Sequence, residues 1–275
     1  MTLGEALRAA EAYLDRKGVA RSRVDAELLL ARALGLSRLE LYTQSDRPLT
    51  EAERAVGRTV LERRAAREPL AYILGDWGFR RLTLKTDARA LVPRPETEIV
   101  VERCLSRLRD VSEARVVDVG TGSGAIALSL AAELPGSAVT ATDVSRDALA
   151  LARENAEELG LTVDFRESNL LDGLEGPYDL VVSNPPYVLA GELESLEPEV
   201  RDWEPRLALV DAGQTEELAA DARRALHGWL VLEVHEGRAA EIARALETLG
   251  FSDIEVSLDL SGRDRVVEGR WTPTP

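Results

Sequence analysis

A chain of 275 residues, 45% apolar and 30% charged, is long enough for one large domain plus a small one, and its balance is that of a globular protein rather than a disordered one. A net charge of −15 counts against a protein that grips a long nucleic acid by its phosphates, which requires a basic face. No apolar run approaches the roughly 18 residues of a membrane span. The start, Met1-Thr2-Leu3-Gly4-Glu5, lacks the basic and apolar regions of a secretory signal, and the lone Cys104 with His227 and His235 makes neither an internal disulfide nor a dedicated zinc site. The expected location is therefore the cytoplasm, with no metal.

Residues 1–70 predict helix throughout. Thr2-Leu3-Gly4-Glu5 has capping-box form, Leu3, Leu7, Ala10 and Leu14 recur at helical spacing, and Gly18 stops the run. A second helix is expected over 22–34 with Val24, Leu28 and Leu29 inward, and a third over 37–42. A fourth runs from the capping box Thr50-Glu51-Ala52-Glu53 to residue 67. The arginines Arg63, Arg64 and Arg67, like Arg80 and Arg81, read as a solvated face. Residues 71–94 read as a linker holding a hairpin, with Trp77, Phe79, Leu82 and Leu84 near strand spacing. Pro93-Arg94-Pro95-Glu96-Thr97-Glu98 then leads into a helix ending near 108, with Cys104 on its apolar face.

Residues 95–275 form the third region, where strand and helix alternate. Strands are predicted at 116–119, 138–142, 162–166, 178–183 and 229–234, with helices at 125–134, 146–159, 218–226 and 239–249. Two strands in succession, 254–258 and 265–268, close the chain. The alternation demands an α/β fold with a doubly wound, mainly parallel sheet covered on both faces, and the closing pair implies an antiparallel edge.

Asp118-Val119-Gly120-Thr121-Gly122-Ser123-Gly124 lies between the first strand of this region and its helix. Glycines there let a backbone approach a ligand, and the helix N-terminus behind them favours negative charge. Asp143 ends the next strand about twenty residues on, where an acid can hold both ribose hydroxyls. An adenosine-containing cofactor is expected, but the loop also fits the dinucleotide fingerprint and does not choose between NAD and S-adenosyl-L-methionine.

Asn184-Pro185-Pro186-Tyr187 makes that choice. It closes the fourth strand, whose end lies beside the glycine loop in a doubly wound sheet. Two prolines fix two φ angles and remove two donors. Asn184 Oδ1 and the Pro185 carbonyl can each accept one proton of an NH2 group on a planar carrier, which biases the nitrogen lone pair toward an electrophile. Tyr187 can stack on the planar group or face a sulfonium. No strong base is evident, so alignment carries most of the catalysis. The expected reaction is methylation of an amide-type nitrogen.

These segments resemble the class I methyltransferases and, within them, the HemK-like protein-(glutamine-N5) methyltransferases of peptide-chain release factors. Glu68-Pro69-Leu70-Ala71-Tyr72-Ile73-Leu74-Gly75, Leu91 to Glu98, Asp118 to Gly124, Asn184 to Tyr187, Glu204-Pro205 and Asp259 to Val267 carry the likeness over nearly the whole chain. The resemblance implies that Asp118 and Gly120, Thr121, Gly122, Ser123 and Gly124 line the methionine part of S-adenosyl-L-methionine, with S-adenosyl-L-homocysteine as product. It implies that Asp143 holds the ribose. Asn169 falls where the family often has an acid near the adenine, and Leu170 where some members have an aromatic ring. Asn184, Pro185, Pro186 and Tyr187 would hold the glutamine amide, with Asn184 also near the methyl donor. The helical bundle would dock a class I release factor whose Gly-Gly-Gln loop enters the pocket. Arg94 and Glu98 either join the site or staple the linker.

A monomer acting on a protein, without membrane or nucleic acid, is the expected arrangement. The alternatives are a glutamine methyltransferase of a ribosomal protein and an adenine-N6 methyltransferase, which would need phosphate contacts around a flipped base. A nicotinamide oxidoreductase would leave Asn184 to Tyr187 without a role.

Overall fold

Three of the first four helices start on a hydroxyl residue whose side chain accepts from the third helical amide, while a glutamate there reaches back to the cap amide: Thr2 with Glu5, Ser37 with Glu40, Thr50 with Glu53. These local signals begin a chain whose computed structural model describes residues 1–273 and divides into two units. The first unit is Met1–Asp76 with Glu197–Trp203. It contains α1 (Leu3–Arg16), α2 (Ser22–Leu34), α3 (Arg38–Thr43), α4 (Glu51–Ala65) and α5 (Leu70–Leu74), packed around Leu3, Leu14, Leu29, Leu30 and Leu41. The short α5 lies in the stretch expected to be linker; it opens at Pro69 and ends at Gly75, φ +82°.

Two expectations for this unit are corrected. Val24 does not face inward but is 39% exposed, while its neighbours Asp25 and Glu27 are buried. The reason is pairing. Arg64 Nε donates to Asp25 Oδ2 at 2.7 Å, and Arg64 Nη2 lies 2.7 Å from Glu199 Oε1. Arg67 reaches Glu199 through two bonds of 2.8 and 2.6 Å. The arginine cluster is a solvated face only in part: Arg63 is exposed and bonded to Glu68, but Arg64 is buried and Arg67 half-buried in their pairs. Beyond this unit, Arg80 is bonded to Glu133.

The second unit is Trp77–Leu196 and Glu204 onward. A hairpin, β1 (Asp76–Phe79) and β2 (Leu82–Lys85), leads to α6 (Thr97–Arg107). Then come β3 (Arg115–Val119), α7 (Ala125–Glu133), β4 (Ala138–Asp143), α8 (Arg146–Leu159), β5 (Asp164–Glu167) and β6 (Tyr178–Ser183). After α9 (Pro198–Arg201), which belongs to the first unit, follow α10 (Gln214–Ala225), β7 (Leu226–Glu233), α11 (Ala239–Leu249), β8 (Ser252–Leu258) and β9 (Asp264–Arg270).

The main sheet has the order β5-β4-β3-β6-β7-β9-β8, parallel from β5 to β7 and antiparallel at β9 and β8. Alternate residues serve opposite faces. Val116, Leu180 and Val182 join a core with Leu128 and Cys104, while Val117, Val181 and Leu230 join another with Leu218 and Leu246. The strand order reverses between β3 and β6, the topological switch point at which α/β sheets bind ligands. The register sets Val119 beside both Thr142 and Ser183, and Ser183 beside Leu232, so four strand ends open on one edge.

Candidate active site

The turn after β3 is built from glycines with different duties. Gly120 has φ +71°, and a Cβ there would meet no atom within 4 Å, so the space beside it is open to a ligand. Gly124 has φ +86°, and a Cβ there would come 2.9 Å from Leu128 Cδ1, so it serves packing of α7. Asp118 sits beneath the turn, fully buried, where Oδ2 accepts from Thr121 Oγ1 at 2.7 Å and from the Ala127 amide at 3.1 Å. Burial pushes its carboxyl up to about 7. Asp143, at the end of β4, accepts from the Gly122 amide at Oδ2 and the Ser145 amide at Oδ1, both at 2.9 Å. Burial raises its pKa against the pull of those amides.

A cavity of about 710 Å³ opens over this edge, a size suited to a nucleoside-bearing ligand. Of the residues expected in the site, Gly120, Thr121, Gly122, Ser123, Asp143, Asn169, Leu170, Asn184, Pro185 and Pro186 line it. Asp118, Gly124 and Tyr187 are not on its wall; the first two hold the turn from behind. The Tyr187 ring lies 5.6 Å from that of His235, and burial raises its phenol to about 12, which keeps it neutral.

Asn184 leaves β6 beside β3, where Ser183 Oγ donates to the Val119 carbonyl at 2.7 Å and locks the two strand ends together. Its Nδ2 donates to Thr97 Oγ1 at 3.2 Å, and Thr97 Oγ1 in turn donates to Glu233 Oε2 at 2.7 Å. Glu233 is 1% exposed, its Oε1 has no hydrogen-bond partner among the described residues, and burial lifts its carboxyl to about 7. The motif Leu91 to Glu98 includes Thr97 but assigns it no role, and no motif reaches Glu233. One signal was available: Glu233 ends an apolar strand at the sheet's carboxyl edge, as Asp143 does. Arg94 lines the cavity and donates to both oxygens of the buried Glu204 at 2.7 Å. Glu98 accepts from the Arg80 amide at 2.9 Å and so ties the hairpin turn to α6.

Glycine turn, strand-end acid and Asn-Pro-Pro-Tyr turn at the switch point of this sheet define a class I methyltransferase. The residues fit S-adenosylmethionine: open space at Gly120, a half-buried Asp143 carboxyl held in place by backbone amides, and an acceptor side chain at Asn184 on the same cavity. The fold is shared with a 16S rRNA N2 G1207 methyltransferase of Thermus thermophilus (TM-score 0.53, 18% identity, 71% of this chain, 49% of that one). It is shared as well with a ribosomal protein L11 methylase of Lactobacillus delbrueckii (TM-score 0.50, 23% identity, 64% and 80%).

Family models match residues 5–75 as PrmC N-terminal domain and residues 97–196 as methyltransferase small domain. The release factor glutamine methyltransferase of Deinococcus radiodurans is 46% identical over 98% of this chain and 99% of its own length, and that of Geobacter sulfurreducens is 41% identical over 98% and 96%. The chain belongs to the release factor glutamine methyltransferase family, and its methyl donor is S-adenosylmethionine. Among the described residues no helix is long and apolar enough to cross a membrane.

Proposed function

We propose that the protein methylates the side-chain amide nitrogen of the glutamine in the Gly-Gly-Gln motif of class I peptide-chain release factors. The observation that carries this reading is the polarity of Asn184. Its Nδ2 is committed to Thr97, which leaves Oδ1 to accept from an incoming NH2 group. The Pro185 carbonyl accepts the second proton, and two such bonds turn the nitrogen lone pair out of the amide plane. When bound, S-adenosylmethionine supplies a methyl carbon on a sulfonium, ready for direct displacement. Displacement there would form the new N–C bond as the S–C bond breaks, with one amide proton passing to solvent. Orientation supplies most of the acceleration, worth effective molarities of about 10⁵ M or more.

In the same reading Gly120 to Ser123 hold the methionine part of the donor, Asp143 the ribose, and Asn169 and Leu170 the adenine side. The helical unit docks the release factor. The active unit is a single chain in the cytoplasm, and its strongly acidic surface favours a protein acceptor over nucleic acid. The test is mass spectrometry of a purified release factor after incubation with the protein and methyl donor. A methyl group on the Gly-Gly-Gln glutamine is expected; a methyl group elsewhere, or none, overturns the reading.

A further inference from the structure

Asn184 does not hang free in its turn. Behind it stand two side chains from two other elements: Thr97, the first residue of α6, and Glu233, the last of β7. Helix α6 packs on both β6 and β7, so the three meet only in the folded sheet. An amide side chain is nearly symmetric in shape, and nothing in its size decides which end is oxygen. The polarity of its neighbours must decide it.

That polarity runs one way. Above about pH 7 the Glu233 carboxylate is ionised and only accepts, and a threonine hydroxyl has one proton. Thr97 Oγ1 gives its proton to Glu233 Oε2 at 2.7 Å. Toward Asn184 the hydroxyl therefore has only lone pairs left, and the partner 3.2 Å away must be a donor, Nδ2. A reversed amide would set Oδ1 against an oxygen with no proton to share. It would also turn an NH2 toward the NH2 of the acceptor, donor against donor. We infer that Thr97 and Glu233 are positioning residues which fix the orientation of the Asn184 amide, so that Oδ1 and not Nδ2 meets the substrate nitrogen.

A purely structural role is the alternative, since an acid near the start of α6 is favoured by the helix dipole. The two roles part at Glu233→Gln. Glutamine keeps a hydrogen bond to Thr97 and the packing, but it can offer Nε2. The Thr97 proton is then released toward Asn184, and both amide orientations become possible.

This inference rests on the amide-methylation reading, so the full-length wild-type chain is first shown by mass spectrometry to methylate a purified release factor. Failure at that stage removes the reading and the inference with it. With an active wild type, Thr97→Val is expected to lower kcat roughly 10- to 100-fold while S-adenosylmethionine affinity stays within about twofold, because alignment and not binding is lost. Thr97→Ser should recover most of that turnover. Glu233→Gln should lower kcat about tenfold in a chain that melts no lower than wild type. Wild-type kcat in Glu233→Gln, or a Thr97→Ser as impaired as Thr97→Val, overturns the relay while leaving the methylation reading intact. Should Thr97→Val fold poorly, Thr97→Ser and Glu233→Gln decide it alone.

Discussion

Most buried carboxylates in both units are paired with arginines, Glu204 with Arg94 and Glu268 with Arg103 and Arg107 among them, but two acids at the carboxyl edge of the sheet are treated in the opposite way from those of the helical unit. In the helical unit Asp25 is bonded to Arg64, and Glu27 to the Tyr42 hydroxyl, Arg38 and Arg23. The Tyr42 hydroxyl, followed by the two arginines, holds Glu27 below the usual carboxylate range despite burial. At the carboxyl edge of the sheet, Asp118 and Glu233 are equally buried, yet no cation is hydrogen-bonded to either among the described residues. Each leaves one oxygen unpartnered and has its pKa pushed up to about 7. A buried charge without a partner lowers stability, so it persists where something other than stability selects it. The contrast separates acids that hold the protein together from acids that hold its chemistry in place.

The largest expected effect lies on the chemical side. Asn184→Ala should reduce methyl transfer by about a thousandfold, near 4 kcal/mol of transition-state stabilisation, the scale of losing an aligned polar group. S-adenosylmethionine binding, followed by titration calorimetry, should weaken modestly at most. Turnover near wild type would end the claim that this side chain grips the acceptor.

On the structural side, Arg64→Met removes a cation shared by Asp25 and Glu199 and should destabilise the helical unit by about 3 kcal/mol, as breaking a buried pair does. Hydrogen exchange localises the damage: α2 and α4 should lose protection while β3 and β6 keep theirs. Equal loss in both units would erase the distinction drawn here. A smaller effect is expected at Asp143, which sits between the two classes with amide partners but no cation. Asp143→Ala should weaken S-adenosylmethionine by roughly thirtyfold, about 2 kcal/mol for lost charge-assisted bonds. An unchanged dissociation constant would take Asp143 out of the ribose site.

How far these features could be read in advance follows the range of the interactions behind them. Local ones were legible: Thr2 and Thr50 as caps, the strand from Tyr178 to Ser183, and the turn glycines between β3 and α7. The parallel sheet followed from alternation. Its antiparallel edge was foreseen, but not that β9 would slip between β7 and β8, because either closing strand has the apolar residues to pair with β7. Helix α5 is too short for periodicity to register. Val24 was misplaced because Asp25 could go inward only with Arg64, which lies in another helix distant along the chain. The role of Thr97, and Glu233 altogether, went unread for the same reason: each is an ordinary residue until α6, β6 and β7 meet.

The smallest effect is the one that tests the comparison most directly. The folded pKa of Glu233, about 7, lies above its ordinary value of 4.5. Between those values the folded state keeps a proton that the unfolded chain has released. The contribution to stability is therefore full below pH 4.5, shrinks as pH rises, and is lost above about 7. Glu233→Gln cannot lose a proton and escapes this decline. The full shift would correspond to about 3 kcal/mol, but relaxation and water entry around the charge trim such values, so a gain on the order of 1 kcal/mol at pH 8 is expected. At pH 4.5 the variant and wild type should be equally stable. Urea unfolding of both across this range would show their stabilities diverging as pH rises. Glu27→Gln, made in the helical unit, should give the opposite sign, since its carboxyl is held low and its charge is the stabilising form. Parallel curves for the two variants would mean that burial, and not the presence or absence of a partner, governs both acids.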